Sequence, residues 1–173
     1  MPRLIQGYKN YYLIPDGSNE IYDSIPDGSF EIKYDALQRK FYLYKSEQIT
    51  IPNKVYGNQE SIADKIIKTY NAKQSNCGVL LTGTKGTGKT MLSKLISHKA
   101  NIPTLIVNRN FATDELSSLF TTFIQDINQR CIIIFDEFEK YYDDQGQEKL
   151  LTILDGMSNS NKLFIFTANK EYK

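Results

Sequence analysis

A glycine-rich octapeptide at residues 83–90 constrains the fold of this chain more than any other feature. Its residues are Gly83, Thr84, Lys85, Gly86, Thr87, Gly88, Lys89 and Thr90. An apolar run, Val79-Leu80-Leu81, precedes it and an amphipathic segment follows, so the loop is predicted to join a strand to a helix. Glycines there allow positive φ and close approach to a ligand, while the backbone N–H groups and the helix start favour an anion. The pattern therefore predicts a loop that binds the phosphates of a nucleoside triphosphate.

Two side chains of this loop have predicted roles of their own. Lys89 is expected to reach the β- and γ-phosphates, and the Thr90 hydroxyl is expected to hold Mg²⁺. Met91 is included with the octapeptide among the predicted nucleotide-binding residues. A glycine turn with a purely structural role is the alternative, and the flanking strand and helix argue against it.

Two carboxylates follow the most apolar segment of the chain. The run Ile132-Ile133-Ile134-Phe135 leads directly into Asp136 and Glu137, about 45 residues after the phosphate loop. Ligands of open parallel sheets bind at the carboxyl ends of strands, where these acids are predicted to lie. Asp136 is expected to hold Mg²⁺ through its water shell and Glu137 to take a proton from an attacking water, which indicates hydrolysis. Either acid alone is equally typical of a strand end or a helix cap.

A polar residue also ends a later apolar segment. The predicted strand Leu163–Phe166 is followed by Thr167, Ala168 and Asn169. If this strand lies beside the strand that precedes the phosphate loop, the Asn169 amide can donate to the γ-phosphate and accept from the water. Asparagine is also a common turn residue, and that alternative stays open.

From Ile51 onward, apolar patterns of strand and helix alternate. Helices are predicted near residues 58–70, after the phosphate loop, from Thr113 to Ile127 and near Gln147–Met157. Strands are predicted before the loop and at residues 104–107, 131–135 and 163–166. Strands that are apolar almost throughout are typical of a parallel sheet covered by helices on both faces. The predicted fold class is therefore α/β, with a P-loop NTPase core at residues 51–173.

Residues 1–50 have a different pattern and are predicted to form a small β-rich N-terminal module. They are rich in tyrosine and contain two Ile-Pro-Asp-Gly-Ser turns, at residues 14–18 and 25–29. Segments Ser29–Asp35 and Lys40–Lys45 alternate and predict a hairpin. The module is expected to pack on the larger domain or on a neighbouring subunit. Its aromatic side chains fit that packing better than ligand binding.

Composition narrows the classes of partner and compartment. A net charge of +1 predicts no particular partner, and no segment approaches the roughly 18 apolar residues of a membrane span. The start of the chain is too soon polar for a secretory signal, so we expect a cytoplasmic protein without a membrane partner. Cys77 and Cys131 are predicted to be reduced, buried thiols at strand starts, and the single histidine, His98, a surface or helix-end residue.

Three segments carry a resemblance to a known family. Residues Gly83–Thr90, Ile132–Glu137 and Phe164–Asn169 resemble the two nucleotide motifs and the sensor-one strand of the AAA family of ATPases, in order and spacing. Phe135–Lys140 more narrowly resembles the branch shared by the mitochondrial Rieske-protein translocase and small ATPases of tailed bacteriophages. In those phage proteins a tyrosine-rich β region also precedes the ATPase, and a viral origin would place the protein in the host cytoplasm.

The resemblance implies a ring-forming ATPase that uses ATP and Mg²⁺ to remodel or thread a protein or nucleic acid. It implies a homo-oligomeric ring in the full-length protein. Tyr56 and Gly57 lie where family members contact adenine, and Phe111 is the only aromatic candidate near the pore loop, although a core role fits it equally well.

The family places a trans-acting arginine, a fifth strand and a helical lid after the sensor-one strand. The chain is therefore expected to be C-terminally truncated, with its phosphate-loop strand at a sheet edge. Because a trans arginine supplies on the order of 10³-fold or more in rate, slow hydrolysis is expected. Arg109 and Arg130 do not occupy the family's finger position.

Other functions stay open. The chain can be a nucleotide-gated interaction module with little turnover, or an ATPase related to helicase loaders. The latter needs nucleic-acid binding, and the sequence has no basic stripe with interleaved aromatics. A small-molecule kinase fits poorly because the region after Arg130 has no arginine for a lid.

Overall fold

The computed structural model describes residues 3–6, 11–14, 20–47, 49–52, 55, 57–73, 75–157 and 161–169. The strands in these ranges are β1 Arg3–Gln6, β2 Tyr11–Ile14, β3 Glu20–Tyr22, β4 Ser29–Asp35, β5 Lys40–Lys45, β6 Cys77–Thr82, β7 Thr104–Val107, β8 Cys131–Phe135 and β9 Lys162–Ala168. The helices are α1 Gln59–Ala72, α2 Lys89–Ala100, α3 Ser117–Asp126 and α4 Asp144–Gly156, and a 3-10 turn covers Phe138–Lys140. None of the helices within these ranges is long and apolar enough to cross a bilayer.

The strands form one sheet in the order β3-β2-β1-β5-β4-β7-β8-β9-β6. The strands β7, β8, β9 and β6 are parallel neighbours in that order, as their near-continuous apolar sequences predict. The N-terminal strands pair antiparallel with one another, and β4 joins β7 in parallel. The predicted α/β class is confirmed.

Helices cover both faces of the sheet at its central strands β8 and β9, whereas the edge strand β6 has one exposed face. Successive side chains of a strand point to opposite faces, so Ile132 and Ile134 of β8 pack in the cluster formed with α1 and α2. Ile133 and Phe135 pack in the other cluster, with α3 and α4. Each face of β8 is thus buried, which explains why the sequence of this strand is apolar at every position.

The N-terminal strands extend this sheet and share its core. The predicted hairpin is present, with β4 and β5 paired from Phe30–Lys45 to Asp35–Lys40. The Phe41 ring of β5 lies 5.0 Å from the Phe111 ring and 5.6 Å from the Phe120 ring between centroids. Packing of the module on the rest of the chain is therefore direct, while a domain boundary near residue 50 stays a prediction.

Some local predictions differ from the structure. The third helix begins at Ser117, and Thr113 instead forms a turn in which its carbonyl accepts from Leu116 and Ser117 N–H at 3.2 and 2.9 Å. Within this helix Leu119 is 37% exposed, because Phe120 and Phe123 fill the core side. Residues 15–18 of the first predicted turn lie outside the described residues, and the second turn has Gly28 at φ 137°.

Other predicted placements agree with the structure. Phe111 is 2% exposed and has the core role. Cys77 and Cys131 begin β6 and β8 as buried free thiols, and His98 is exposed late in α2. Among the described residues β6 pairs with β9 alone, so the strand that leads into the phosphate loop lies at a sheet edge.

Tyr142 anchors the loop that follows β7. Its buried hydroxyl donates to the Arg109 carbonyl at 2.9 Å and accepts from the Phe111 N–H at 3.3 Å. Burial raises the pKa of Tyr142 to about 12, so the phenol stays protonated and keeps its donor. The loop after β7 is thereby tied to the segment that follows β8.

Replacing Tyr142 by Phe should destabilise the fold. The substitution leaves the Phe111 N–H and the Arg109 carbonyl without these partners, which we expect to cost about 1–3 kcal/mol of unfolding free energy. Urea unfolding measures it. Tyr141→Phe is the matched control, because Tyr141 is 42% exposed and should change stability little. An equal effect of the two substitutions would contradict the anchoring role.

Candidate functional site

Three parallel strands bring the predicted site residues to one rim of the sheet. The central strand of the three is β9, paired with β6 on one side and β8 on the other. Because parallel strands end at the same edge, the loop after β6, the acids after β8 and Asn169 after β9 lie side by side. The prediction for Asn169 required its strand to lie beside the phosphate-loop strand. This is the case, because β9 pairs with β6.

The phosphate loop has the backbone that its glycines predict. Gly83, Gly86 and Gly88 all have positive φ, at 146°, 87° and 86°. A Cβ built on Gly86 meets no described atom within 4 Å, whereas one on Gly88 would overlap the side-chain amide of Gln59. No side chain in the described part of the chain caps the α2 N-terminus, which leaves its first N–H groups for an anion. The loop thus fits a phosphate on its open side and packs against α1 on the other.

Lys89 crosses this loop. Its ammonium donates to the Gly83 carbonyl at 2.8 Å and to the Thr84 carbonyl at 2.9 Å. The side chain is 9% exposed, so these bonds compensate a buried charge. The Lys89 ammonium is therefore held at the position where the loop would enclose phosphate oxygens.

One oxygen of Asp136 joins the loop helix to the sheet. Its Oδ1 accepts from the Thr90 hydroxyl at 3.1 Å and from the Thr167 hydroxyl at 2.6 Å. Thr90 lies in the first turn of α2 and Asp136 directly after β8. The two residues predicted to hold Mg²⁺ are thus in contact, and hydroxyl and carboxylate oxygens are ligands that this ion accepts.

Glu137 has a left-handed backbone and a paired side chain. Its φ and ψ are 47° and 49°, and its N–H donates to the Thr167 hydroxyl at 2.7 Å. The carboxylate accepts from Asn169 Nδ2 at 3.0 Å and forms an ion pair with Lys140. Lys140 and then Asn169 lower the pKa of Glu137 below its ordinary value, so the group is a carboxylate at neutral pH.

Asn169 is held from both its backbone and its amide. Its N–H donates to Glu139 Oε1 at 2.9 Å, while the amide donates to Glu137. The predicted residues Lys89, Thr90, Asp136, Glu137 and Asn169 therefore converge at one rim. Met91 lies partly buried in the first turn of α2.

The predicted adenine segment is only partly described. Tyr56 lies outside the described residues. Gly57 has φ 74° and comes two residues before Gln59, whose amide touches the phosphate loop. Its assignment to adenine stays a prediction.

Four contacting residues were missed by reasoning from the sequence. They are Gln59, Glu139, Lys140 and Thr167. Thr167 left a signal, because its hydroxyl directly follows the apolar run Leu163–Phe166 of β9. Gln59, Glu139 and Lys140 left none, since polar residues at a helix start or in a short turn are ordinary surface residues.

The two remaining arginines lie away from this cluster. Arg130 precedes β8, at the opposite rim from Asp136, where it donates to Asn71 Oδ1 at 2.7 Å and stacks on the Tyr70 ring. Arg109 is exposed in the loop after β7. Neither contacts the acids or the phosphate loop among the described residues.

Comparison with known families decides the assignment. The model of the ATPase family associated with various cellular activities (AAA) matches residues 79–173, more than half of the chain. This chain belongs to the AAA family of ATPases. Membership supports ATP-dependent activity in general and implies nucleotide use, and AAA proteins typically form oligomeric rings.

Individual AAA relatives are distant. The chain is 30% identical over 108 residues to the ATPase family gene 2 protein of Saccharomyces cerevisiae, covering 53% of this chain and 14% of that protein. It is 26% identical over 113 residues to an ATP-dependent zinc metalloprotease YME1 homolog of Schistosoma mansoni, covering 54% of this chain and 17% of that protein. The matches therefore span less than a fifth of these relatives.

A solved structure supports the same AAA fold. PCH-2 of C. elegans superposes with a TM-score of 0.54 at 19% identity, covering 73% of this chain and 41% of that one. At this identity the likeness concerns the fold alone. It agrees with the sheet and helix arrangement described above.

Replacing Gly88 by Ala should weaken nucleotide binding by the AAA core. The left-handed φ of 86° disfavours alanine, and the flexible Gln59 side chain would have to move to admit the Cβ. Binding of a fluorescent ATP analogue measures the loss. Gly156→Ala is the matched control, because its Cβ would meet nothing within 4 Å. Undiminished binding by Gly88→Ala would contradict the need for a left-handed backbone at this position.

Proposed function

We propose that this chain binds ATP with Mg²⁺ and hydrolyses it, and that the energy remodels or threads a protein or nucleic acid. The contact of Thr90 with Asp136 at 3.1 Å carries the proposal. This contact joins the first turn of α2 to the carboxylate that follows β8, and Glu137 and Asn169 lie beside it. This set of groups suits phosphoryl transfer to water.

Each group has a role in this proposal. The loop N–H groups and Lys89 would hold the phosphates, and Lys89 would exchange its loop carbonyls for phosphate oxygens. Thr90 and Asp136 would hold Mg²⁺, which supplies charge neutralisation when bound. Glu137 would accept a proton from water, since it is a carboxylate at neutral pH, and Asn169 would orient that water. Tyr56 and Gly57 would contact adenine, as the resemblance to AAA proteins implies.

We further propose that the full-length protein works as a homo-oligomeric ring. AAA membership favours a ring, and a trans arginine would then come from a neighbouring subunit or another part of the protein. The likeness of Phe135–Lys140 and of the tyrosine-rich N-terminal strands to small phage ATPases and the Rieske-protein translocase favours that branch.

One observation favours a second function, a nucleotide-gated interaction module with little turnover. The Glu137 carboxylate is engaged by both Lys140 and Asn169. A carboxylate held in this way is a poorer proton acceptor until those bonds open. ATP would then serve mainly to dock a partner.

Replacing Glu137 by Gln separates the two functions. If Glu137 accepts the proton, single-turnover hydrolysis should fall about 10²-fold or more while ATP binding persists. Rapid-quench measurement of ADP formation follows the step. Glu148→Gln, an exposed acid on α4, is the matched control and should hydrolyse normally. Indistinguishable rates for wild type and Glu137→Gln would favour the interaction module.

A further inference from the structure

We propose that Thr167 is a positioning residue that sets both acids of the site through its single hydroxyl. The inference deepens the proposed function and rests on it. Thr167 lies on β9 with no solvent exposure. Its hydroxyl donates to Asp136 Oδ1 at 2.6 Å and accepts from the Glu137 N–H at 2.7 Å. One side chain therefore contacts two consecutive residues of the neighbouring strand end.

The first bond orients the Asp136 carboxylate. The oxygen that accepts from Thr167 also accepts from Thr90. Two donors on one oxygen fix the rotation of the carboxylate and so the direction in which its second oxygen points. Partners that orient a metal-binding carboxylate in this way raise its affinity for the ion.

The second bond supports the left-handed turn at Glu137. A non-glycine residue at φ 47° and ψ 49° needs its surroundings to maintain that conformation. The bond from its N–H to Thr167 supplies one such restraint, and the turn directs the carboxylate to Asn169 and Lys140. Without it, Glu137 would lose its placement although its charge remained.

Threonine is suited to this double contact. A hydroxyl has one donor and two acceptor sites, so a single group can serve the carboxylate and the N–H together. Its β-branched side chain has restricted χ1 freedom, and strand pairing on both sides of β9 fixes the backbone. Serine would keep the chemistry with more freedom, whereas valine would keep the shape and lose both bonds.

The test compares Thr167→Val and Thr167→Ser with wild type in the full chain. The probe is a methylanthraniloyl derivative of ATP, titrated in EDTA and then with Mg²⁺, and steady-state hydrolysis of ATP gives kcat and KM separately. For Thr167→Val we expect unchanged probe affinity in EDTA, with the Mg²⁺ half-saturation raised about 10–100-fold. We expect kcat to fall by a similar factor at saturating Mg²⁺ with KM nearly constant, and Thr167→Ser to restore most of both losses.

Thr104→Val is the matched control for a purely structural role. Thr104 is another buried sheet threonine, 2% exposed, at the opposite end of the parallel strands. The Thr104→Val substitution should lower thermal stability without changing the Mg²⁺ half-saturation of probe binding. If Thr167→Val does not fold, Thr167→Ala carries the same expectations.

The outcomes separate this inference from the function on which it rests. Failure of wild type to bind the probe with or without Mg²⁺ would overturn the proposed function and the inference with it. Normal binding by wild type, with a Mg²⁺ dependence and kcat in Thr167→Val that match Thr104→Val, would overturn the role of Thr167 alone. So would a Thr167→Ser variant as impaired as Thr167→Val.

Discussion

Parallel pairing of β9 between β6 and β8 is the constraint on which the candidate site depends. The three strands leave the sheet at the same rim, and each delivers one part of the site: the loop, the acid pair and the amide. The pairing also sets the distances, since Thr167 can reach Asp136 and Glu137 only because β8 and β9 are neighbours in register. Both faces of β8 and β9 are buried under helices, so the relative position of these two strands is held by packing as well as by hydrogen bonds, whereas β6 has one exposed face.

Most of the core fold could be predicted from the sequence because its signals are local. The glycine loop, the apolar strands at 104–107 and 131–135 and the hairpin at 29–45 follow from backbone chemistry and side-chain period. The start of α3 could not, because Thr113 and Ser117 are both acceptable first residues and the local sequence does not decide between them. The antiparallel strands joining the parallel sheet through β4 and β7 depend on a long-range pairing that no local pattern specifies.

Within the site, residues with a motif were predictable and residues defined by contact were not. Lys89, Asp136 and Glu137 lie at positions where sequence alone indicates phosphate or metal chemistry. The place of Thr167 and Gln59 in the site comes only from their contacts. Thr167 is hydrogen-bonded to Asp136 and Glu137, and Gln59 lies against Gly88. A hydrogen bond between residues thirty positions apart, such as that from Glu137 to Thr167, is visible only when the strands are placed. The Lys140 pair with Glu137 is local, yet it was missed because exposed i,i+3 pairs are common and weak.

The position of Tyr142 has a consequence for movement near the site. Tyr142 lies just after the turn that follows Glu137, and its hydroxyl is hydrogen-bonded to the carbonyl of Arg109 and the N–H of Phe111. A displacement of that turn alone would stretch or break a bond to the loop beyond β7, a strand that β8 and β9 separate from the phosphate-loop strand. The buried Tyr142 side chain therefore couples the acid-bearing segment mechanically to this remote loop.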